Sequence, residues 1–297
     1  MSIYSEISAN KNKTYLIMGL FILFISLSTY ILVRALGMGD STVFIAFGFS
    51  LLFAIGSYYF GGSTVLALSG AKEMKNTPGQ DVFDIVQNLS IAAGLPAPKV
   101  YLIMDSAPNA FATGRDPKHA VICVTSGLLD MMNKTELEGV IGHEMSHIKN
   151  FDTRLMVIVA VMVGLITILG DWFMRSLWWR GGDDDDRGKS GQIFLLLGIV
   201  FAILSPIVGK IIQLAISRKR EFLADASAAY LTRYPIGLAN ALEKLKNNTE
   251  TMKTASNATA HLFIVNPFAG KSAKNWLTGL FSTHPDINER IKILRSM

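Results

Sequence analysis

Two histidines four residues apart flank a glutamate in "HEMSH", which runs from His143 to His147. On an α-helix positions i and i+4 share a face, so the two imidazoles present themselves to a common point with Glu144 beside them. Such a pair suits a metal ion. Zinc accepts neutral imidazole nitrogens at about 2.0–2.1 Å, and a catalytic zinc site keeps three protein ligands and leaves the fourth position to water. The ion lowers the pKa of that water toward about 7, and Glu144 can take its proton and deliver it to a leaving amine, which is peptide hydrolysis. A five-residue pattern also arises by chance as two unrelated histidines, so a third ligand has to be found.

The elongated signature H-E-x-x-H-x-x-G-x-x-H fails, because Ile148 to Thr153 supply neither the glycine nor a third histidine. A carboxylate from another helix is therefore required. The best candidate lies in "REFLAD", where Glu221 and Asp225 are again four apart. Glu221 would complete the metal shell, and Asp225 would accept the free N–H of a ligating histidine and fix its tautomer. The competing reading pairs Glu221 with Arg218 or Lys219 on a solvated helix.

The elements that must position these residues are unusually apolar. Half of the 297 residues are hydrophobic and the mean hydropathy is +0.36, too high for an ordinary soluble domain. Net charge is +5, but no basic stripe interleaved with aromatics appears, which argues against nucleic acid as a partner. The single cysteine, Cys123, excludes an internal disulfide framework and suits a reducing compartment. Four apolar segments stand out: Tyr15 to Val33, Val43 to Phe60, Leu155 to Gly170 and Gln192 to Ile212. A spanning helix needs about 20 such residues, a length the first two approach without a single charge. The third is shorter, and the fourth contains Pro206 and Lys210. The first is too long for a signal-peptide core and reads as a retained anchor.

Eight Lys or Arg lie between Gly61 and Arg154 and twelve after Gln213, against one in the loop from Arg34 to Thr42. With an even number of crossings, the positive-inside rule puts both termini and the middle piece in the cytoplasm. The run Asp183 to Asp186 reads as solvated charge. Four regions follow: a hydrophobic hairpin over residues 1–60, the first part of a catalytic domain over 61–154, a second hydrophobic hairpin over 155–212, and the second catalytic part over 213–297. Within the first soluble piece, Val82, Ile85, Val86 and Leu89 predict a helix ending at Gly94. The runs "KVYLIM", "NAFAT" and "AVICVT" predict a small antiparallel sheet. The helix carrying the histidines is expected to start near Thr135, with Glu138 closing a capping box. The fold class is mainly α with that small sheet: an integral membrane protein of about four transmembrane helices whose zincin-like catalytic domain is built from two sequence segments.

"HEMSH", "EFLAD", the N-terminal hairpin, "PNAFATG" and the terminal "HPDINERI" together resemble the HtpX-type membrane metalloproteases, relatives of the CAAX prenyl protease. The resemblance implies a zinc-dependent endopeptidase of the bacterial inner membrane, one Zn²⁺ per chain, that acts from the cytoplasmic side on misfolded or damaged membrane proteins under stress. It also implies that His143, His147 and Glu221 are ligands, Glu144 the base and Asp225 a support behind them. A substrate strand would lie extended beside "NAFAT", where Asn109, Ala110 and Phe111 would supply backbone contacts; the alternative is an ordinary strand with Phe111 in the core. His284 and Arg290 are candidate donors to the developing oxyanion, and a His-Pro turn with Arg290 in a salt bridge is the competing reading. His119 and His261 receive no role. Two other functions compete with the endopeptidase. An intramembrane protease is disfavoured by Glu136, Glu138, Lys149, Asn150 and Asp152 around the histidines, and a non-catalytic zinc-binding scaffold or sensor would have no use for Glu144.

Overall fold

The structure, a computed structural model, describes residues 3–35, 41–75, 81–179, 218–256, 258–268 and 285–297. The chain opens with two long helices, α1 (Ile3–Ala35) and α2 (Ser41–Leu68), which pack on each other. A short strand β1 (Lys72–Glu73) leads into α3 (Asp81–Ala93), whose buried face includes Val82, Ile85, Val86 and Leu89. Those are the positions that the helical periodicity marks, and the chain leaves the helix through Gly94 at φ +69°, a conformation suited to glycine.

Three strands follow: β2 (Lys99–Ile103), β3 (Ala110–Thr113) and β4 (Val121–Thr125). The sheet order is β1-β2-β4-β3. β1 pairs antiparallel with β2 and β3 with β4, but β2 and β4 are parallel, so the expected all-antiparallel sheet is in fact mixed. The reason is topological. After β2 the chain crosses to the far edge as β3 and returns as β4 into the space between, pointing the same way as β2. β4 is then covered on both faces, and its unbroken apolar run "VICV" is that of a central strand.

One face of the sheet, through Val100, Ala110, Ala112, Ile122 and Val124, packs against α3 and α5 (Lys134–Lys149), the helix that carries both histidines. The other face, through Ile103, Phe111 and Cys123, packs against Val65 and Leu66 of α2, Met156 and Ala160 of α6 (Asp152–Trp179), and Leu262 and Phe263. A short helix α4 (Ser126–Met131) precedes α5. The cap of α5 is set earlier than the sequence expectation: Asn133 Oδ1 accepts the N–H of Glu136 at 3.0 Å and Glu136 Oε2 accepts that of Asn133 at 2.9 Å. Two capping boxes overlap in "NKTELE", and asparagine, a strong N-cap, takes the position.

Beyond α6 come α7 (Arg218–Thr232), α8 (Pro235–Asn247) and α9 (Ile287–Arg295). α5 lies against α7 and α8 along a face with small residues. A Cβ on Gly139 would stand 2.6 Å from the backbone nitrogen of Leu238, so only glycine permits this approach. Gly142 allows the same closeness to Ala228 of α7, where an added Cβ would meet it at 3.4 Å, and α7 carries Glu221 over the histidines.

Among the described residues one helix, with the apolar stretch Phe47–Leu68, is long and apolar enough to cross a membrane. Its lower part serves the soluble layer instead, since Val65 and Leu66 are buried against the sheet and α2 runs eight residues past the expected end at Phe60. The third apolar segment forms a continuous helix, but Leu155 to Ala160, Met162 and Val163 are buried within the protein, which apolar composition alone does not distinguish from burial in lipid. The fourth segment and Asp183 to Asp186 lie outside the described residues.

Candidate metal centre

His143 and His147 stand one helical turn apart on α5, both buried, with their Nε2 atoms 3.1 Å from each other. Glu221, in the first turn of α7, brings one oxygen to 3.7 Å from His143 Nε2 and the other to 3.6 Å from His147 Nε2. Two bonds of about 2.0–2.1 Å at a tetrahedral angle place neighbouring donors about 3.3 Å apart. The three groups therefore already have the mutual spacing of ligands around one ion, and they form the described cluster able to hold a metal.

The outward nitrogens fix how the rings can bind. His143 Nδ1 lies 2.9 Å from Asp225 Oδ1, and His147 Nδ1 lies 2.9 Å from Asp152 Oδ2. Each Nδ1–H donates to a carboxylate, which leaves both Nε2 lone pairs facing one point. Two lone pairs at that distance repel unless a proton or a cation lies between them, and the donor set of two imidazoles and a carboxylate suits zinc.

Charge is distributed unevenly. Burial lowers the pKa of His143, and the charges of His147 and Arg290 lower it further against the pull of Asp225. Burial acts on His147 in the same sense, but hydrogen bonding to Asp152 and the charges of Glu221, Asp152 and Glu144 outweigh it and carry the pKa up to about 9. His147 is thus shifted up where His143 is shifted down, and a proton and a metal ion compete for the position between the two Nε2 atoms. Burial pushes Glu144 up to about 7, with Glu221 adding to the rise and His147 and the backbone N–H of Ala112 on β3 opposing it. Asp225 would be raised by burial, but the charge and hydrogen bonds of Arg290 hold it down at about 2.

Arg290, almost wholly buried in α9, grips Asp225 with Nη2 at 2.7 Å and Nε at 2.8 Å. Its Nη1 lies 3.8 Å from Glu221. The guanidinium is thus engaged in the ion pair that the sequence offered as the competing reading for this residue. His284 lies outside the described residues. His119 remains near the surface against Asp116, and His261 is buried with its ring against the carbonyl of Met156.

β3 is an edge strand beside the metal helix, in the position expected of a substrate platform. Its residues are more committed than that expectation requires. Asn109 is buried and its side chain donates to the carbonyl of Val265 at 3.0 Å; the carbonyl of Ala110 accepts from Ile264 N–H at 3.0 Å. Phe111 is fully buried, edge to face with Phe263 at 5.0 Å between centroids. A cavity of about 260 Å³ opens next to this end of the strand, lined by Asn109, Ile264, Val265, Pro285, Ile287 and Arg290 among others.

One residue of the site was not singled out from the sequence. Asp152 appears there only as a charge flanking the histidines, yet it stands behind His147 as Asp225 stands behind His143. The connection depends on the turn between α5 and α6, where Phe151 adopts φ +60° and reverses the chain so that Asp152 returns beneath the histidine five residues earlier. A bulky residue in that region costs roughly 1–2 kcal/mol, and no short pattern announces it.

Comparison with known proteins agrees with the geometry. The family model described as peptidase family M48 matches residues 76–297. The chain is 47% identical over 299 residues to a protease HtpX homolog of Caldanaerobacter subterraneus subsp. tengcongensis, covering 100% of this chain and 98% of that one. It is 45% identical over 294 residues to a protease HtpX homolog of Dictyoglomus turgidum, covering 99% and 94%. The crystal structure of S. mikatae Ste24p is similar in fold, with a TM-score of 0.54 at 18% identity over 98% of this chain and 67% of that one.

Proposed function

The chain belongs to peptidase family M48, and from that premise we propose that it is a membrane-integrated, zinc-dependent endopeptidase that cleaves misfolded or damaged membrane proteins at the cytoplasmic face of a bacterial inner membrane. The observation that carries this reading is the convergence of His143 Nε2, His147 Nε2 and the Glu221 carboxylate, with both Nδ1 atoms turned away onto aspartates.

When bound, zinc supplies Lewis acidity to the scissile carbonyl and the attacking water. The protein does the rest. Glu144 takes the proton of the attacking water and returns it to the departing amine; a carboxyl whose burial raises its pKa to about 7 both accepts and releases a proton near neutrality. Asp225 and Asp152 hold the imidazoles in the tautomer that binds metal. An extended substrate would lie along β3 beyond Ala110, whose carbonyl Ile264 already takes, with an apolar side chain entering the cavity beside Asn109 and Ile287.

The membrane reading is supported by the belt of large exposed apolar side chains on α1 and α2, among them Leu16, Leu20 and Leu23 of the first and Phe44, Phe49 and Leu52 of the second. The cytoplasmic orientation rests on the distribution of Lys and Arg. Purified protein with zinc is expected to cleave an unfolded polypeptide, and Glu144→Gln to abolish cleavage while keeping its zinc; equal cleavage by both would end the proposal. Cys123 is buried, so a cysteine at exposed Lys134 reports orientation through an impermeant reagent in inverted vesicles.

A further inference from the structure

Helix α1 does more than pack against α2. Asn10 is buried, and its Nδ2 donates to the carbonyl of Asn150 at 2.9 Å and to Asp152 Oδ1 at 2.7 Å. The next residue, Lys11, lays its ammonium over the ring of Phe151 at 4.5 Å. Two consecutive residues of the N-terminal helix thus hold all three members of the turn, Asn150, Phe151 and Asp152, in which Phe151 has the disfavoured positive φ. The opposite oxygen of Asp152 accepts from His147 at 2.9 Å.

A third group competes for this carboxylate. Arg220, the neighbour of Glu221, donates from Nη1 to Asp152 Oδ1 at 3.1 Å. Its Nε is buried and has no hydrogen-bond partner among the described residues. A guanidinium with a spare N–H favours the two-pronged grip on a carboxylate, which would draw Oδ2 away from His147. Asn10 opposes that movement, because its Nδ2 occupies Asp152 Oδ1, its own Oδ1 accepts from Arg220 Nη1 at 3.4 Å, and it is tied to the carbonyl of Asn150 as well.

We propose that Asn10 is a positioning residue of the metal centre: through the turn and Asp152 it fixes the ring of His147, so that docking of the N-terminal apolar helix sets the affinity for the ion. This rests on the reading of His143, His147 and Glu221 as ligands. Helix α1 is then part of the active site's framework as well as an anchor, and loosening it would release metal before the soluble layer unfolds.

The test is zinc affinity of the full-length chain in lipid nanodiscs, read by competition with a fluorescent chelator and needing no proteolysis. Outer partners of metal-bound histidines are typically worth 10–100-fold in affinity. Asn10→Leu, which keeps the branched shape without the amide, is expected to weaken zinc binding about tenfold, and the same change on top of Asp152→Asn to add nothing. Thr14→Val, one turn further along α1 and with its hydroxyl bonded, among the described residues, to the carbonyl of Asn10, is expected to leave affinity unchanged. Lys11→Met, on a partly exposed residue, should weaken binding by roughly two- to threefold and decides the matter if Asn10→Leu does not fold. Wild-type affinity in whichever of these two is decisive overturns the proposal, as does a loss in Asn10→Leu that adds in full to that of Asp152→Asn, or an equal loss in Thr14→Val. Failure of the underlying reading looks different: wild type and His147→Ala would then bind zinc equally.

Discussion

The two imidazoles are backed by carboxylates at the same distance, 2.9 Å, but from different parts of the molecule. Behind His143 stand Asp225 and Arg290, on α7 and α9, both in the helical layer that follows α6 in the chain. Behind His147 stands Asp152 at the start of α6, held by Asn10 of the N-terminal helix and by Arg220. The first carboxylate is matched by two short bonds from a full positive charge, the second by one such bond and a neutral amide. Arg290 therefore offsets much of the pull that Asp225 exerts on His143, whereas His147 faces a less compensated partner and is shifted upward. One histidine is backed from the helices packed around it, and the other from the place where α6 meets the N-terminal helix.

The largest test of this contrast is removal of each arginine. Arg290→Met leaves Asp225 buried with no counter-charge and is expected to cost about 3–5 kcal/mol of folding stability, measured by denaturant unfolding of the metal-free chain. Arg220→Met leaves Asp152 bonded to Asn10 and His147 and should cost only about 1–3 kcal/mol. Equal losses would show that the two supports are equivalent. Next in size are the carboxylates themselves. Asp225→Asn and Asp152→Asn should each weaken zinc binding by about 10–100-fold, and the former should destabilise the metal-free protein more, because Arg290 loses two hydrogen bonds where Arg220 loses one.

The same contrast explains what could be read from the sequence. His143, Glu144, His147, Glu221 and Asp225 are set by i, i+4 spacing on two helices, and periodicity of that kind is local. The buried face of α3 was legible for the same reason. Asp152 was not, because it reaches His147 through a turn in which Phe151 takes a positive φ that its side chain disfavours. Asn10 lies 142 residues from Asp152, and nothing on a hydrophobic helix marks which polar residue faces protein. The parallel pairing of β2 with β4 escaped because strand order depends on where β3 docks, whereas pattern specifies only that strands exist. Leu155 to Gly170 read as a candidate span, and the burial of Leu155 to Ala160 within the protein fits that composition equally, because lipid and a protein interior select the same side chains.

The smallest expected effect asks whether these supports act locally at all. Asn133 caps α5 ten positions before His143, and Asn133→Ala removes the side chain that accepts from Glu136 N–H. Loss of such a cap costs about 1 kcal/mol. Because the cap touches neither Asp225 nor Asp152, the variant should unfold at lower denaturant with wild-type zinc affinity. If its affinity instead fell as far as that of Asp152→Asn, metal binding would be reporting the general stability of α5. The distinction between a soluble and a membrane-linked support would then have no separate physical content.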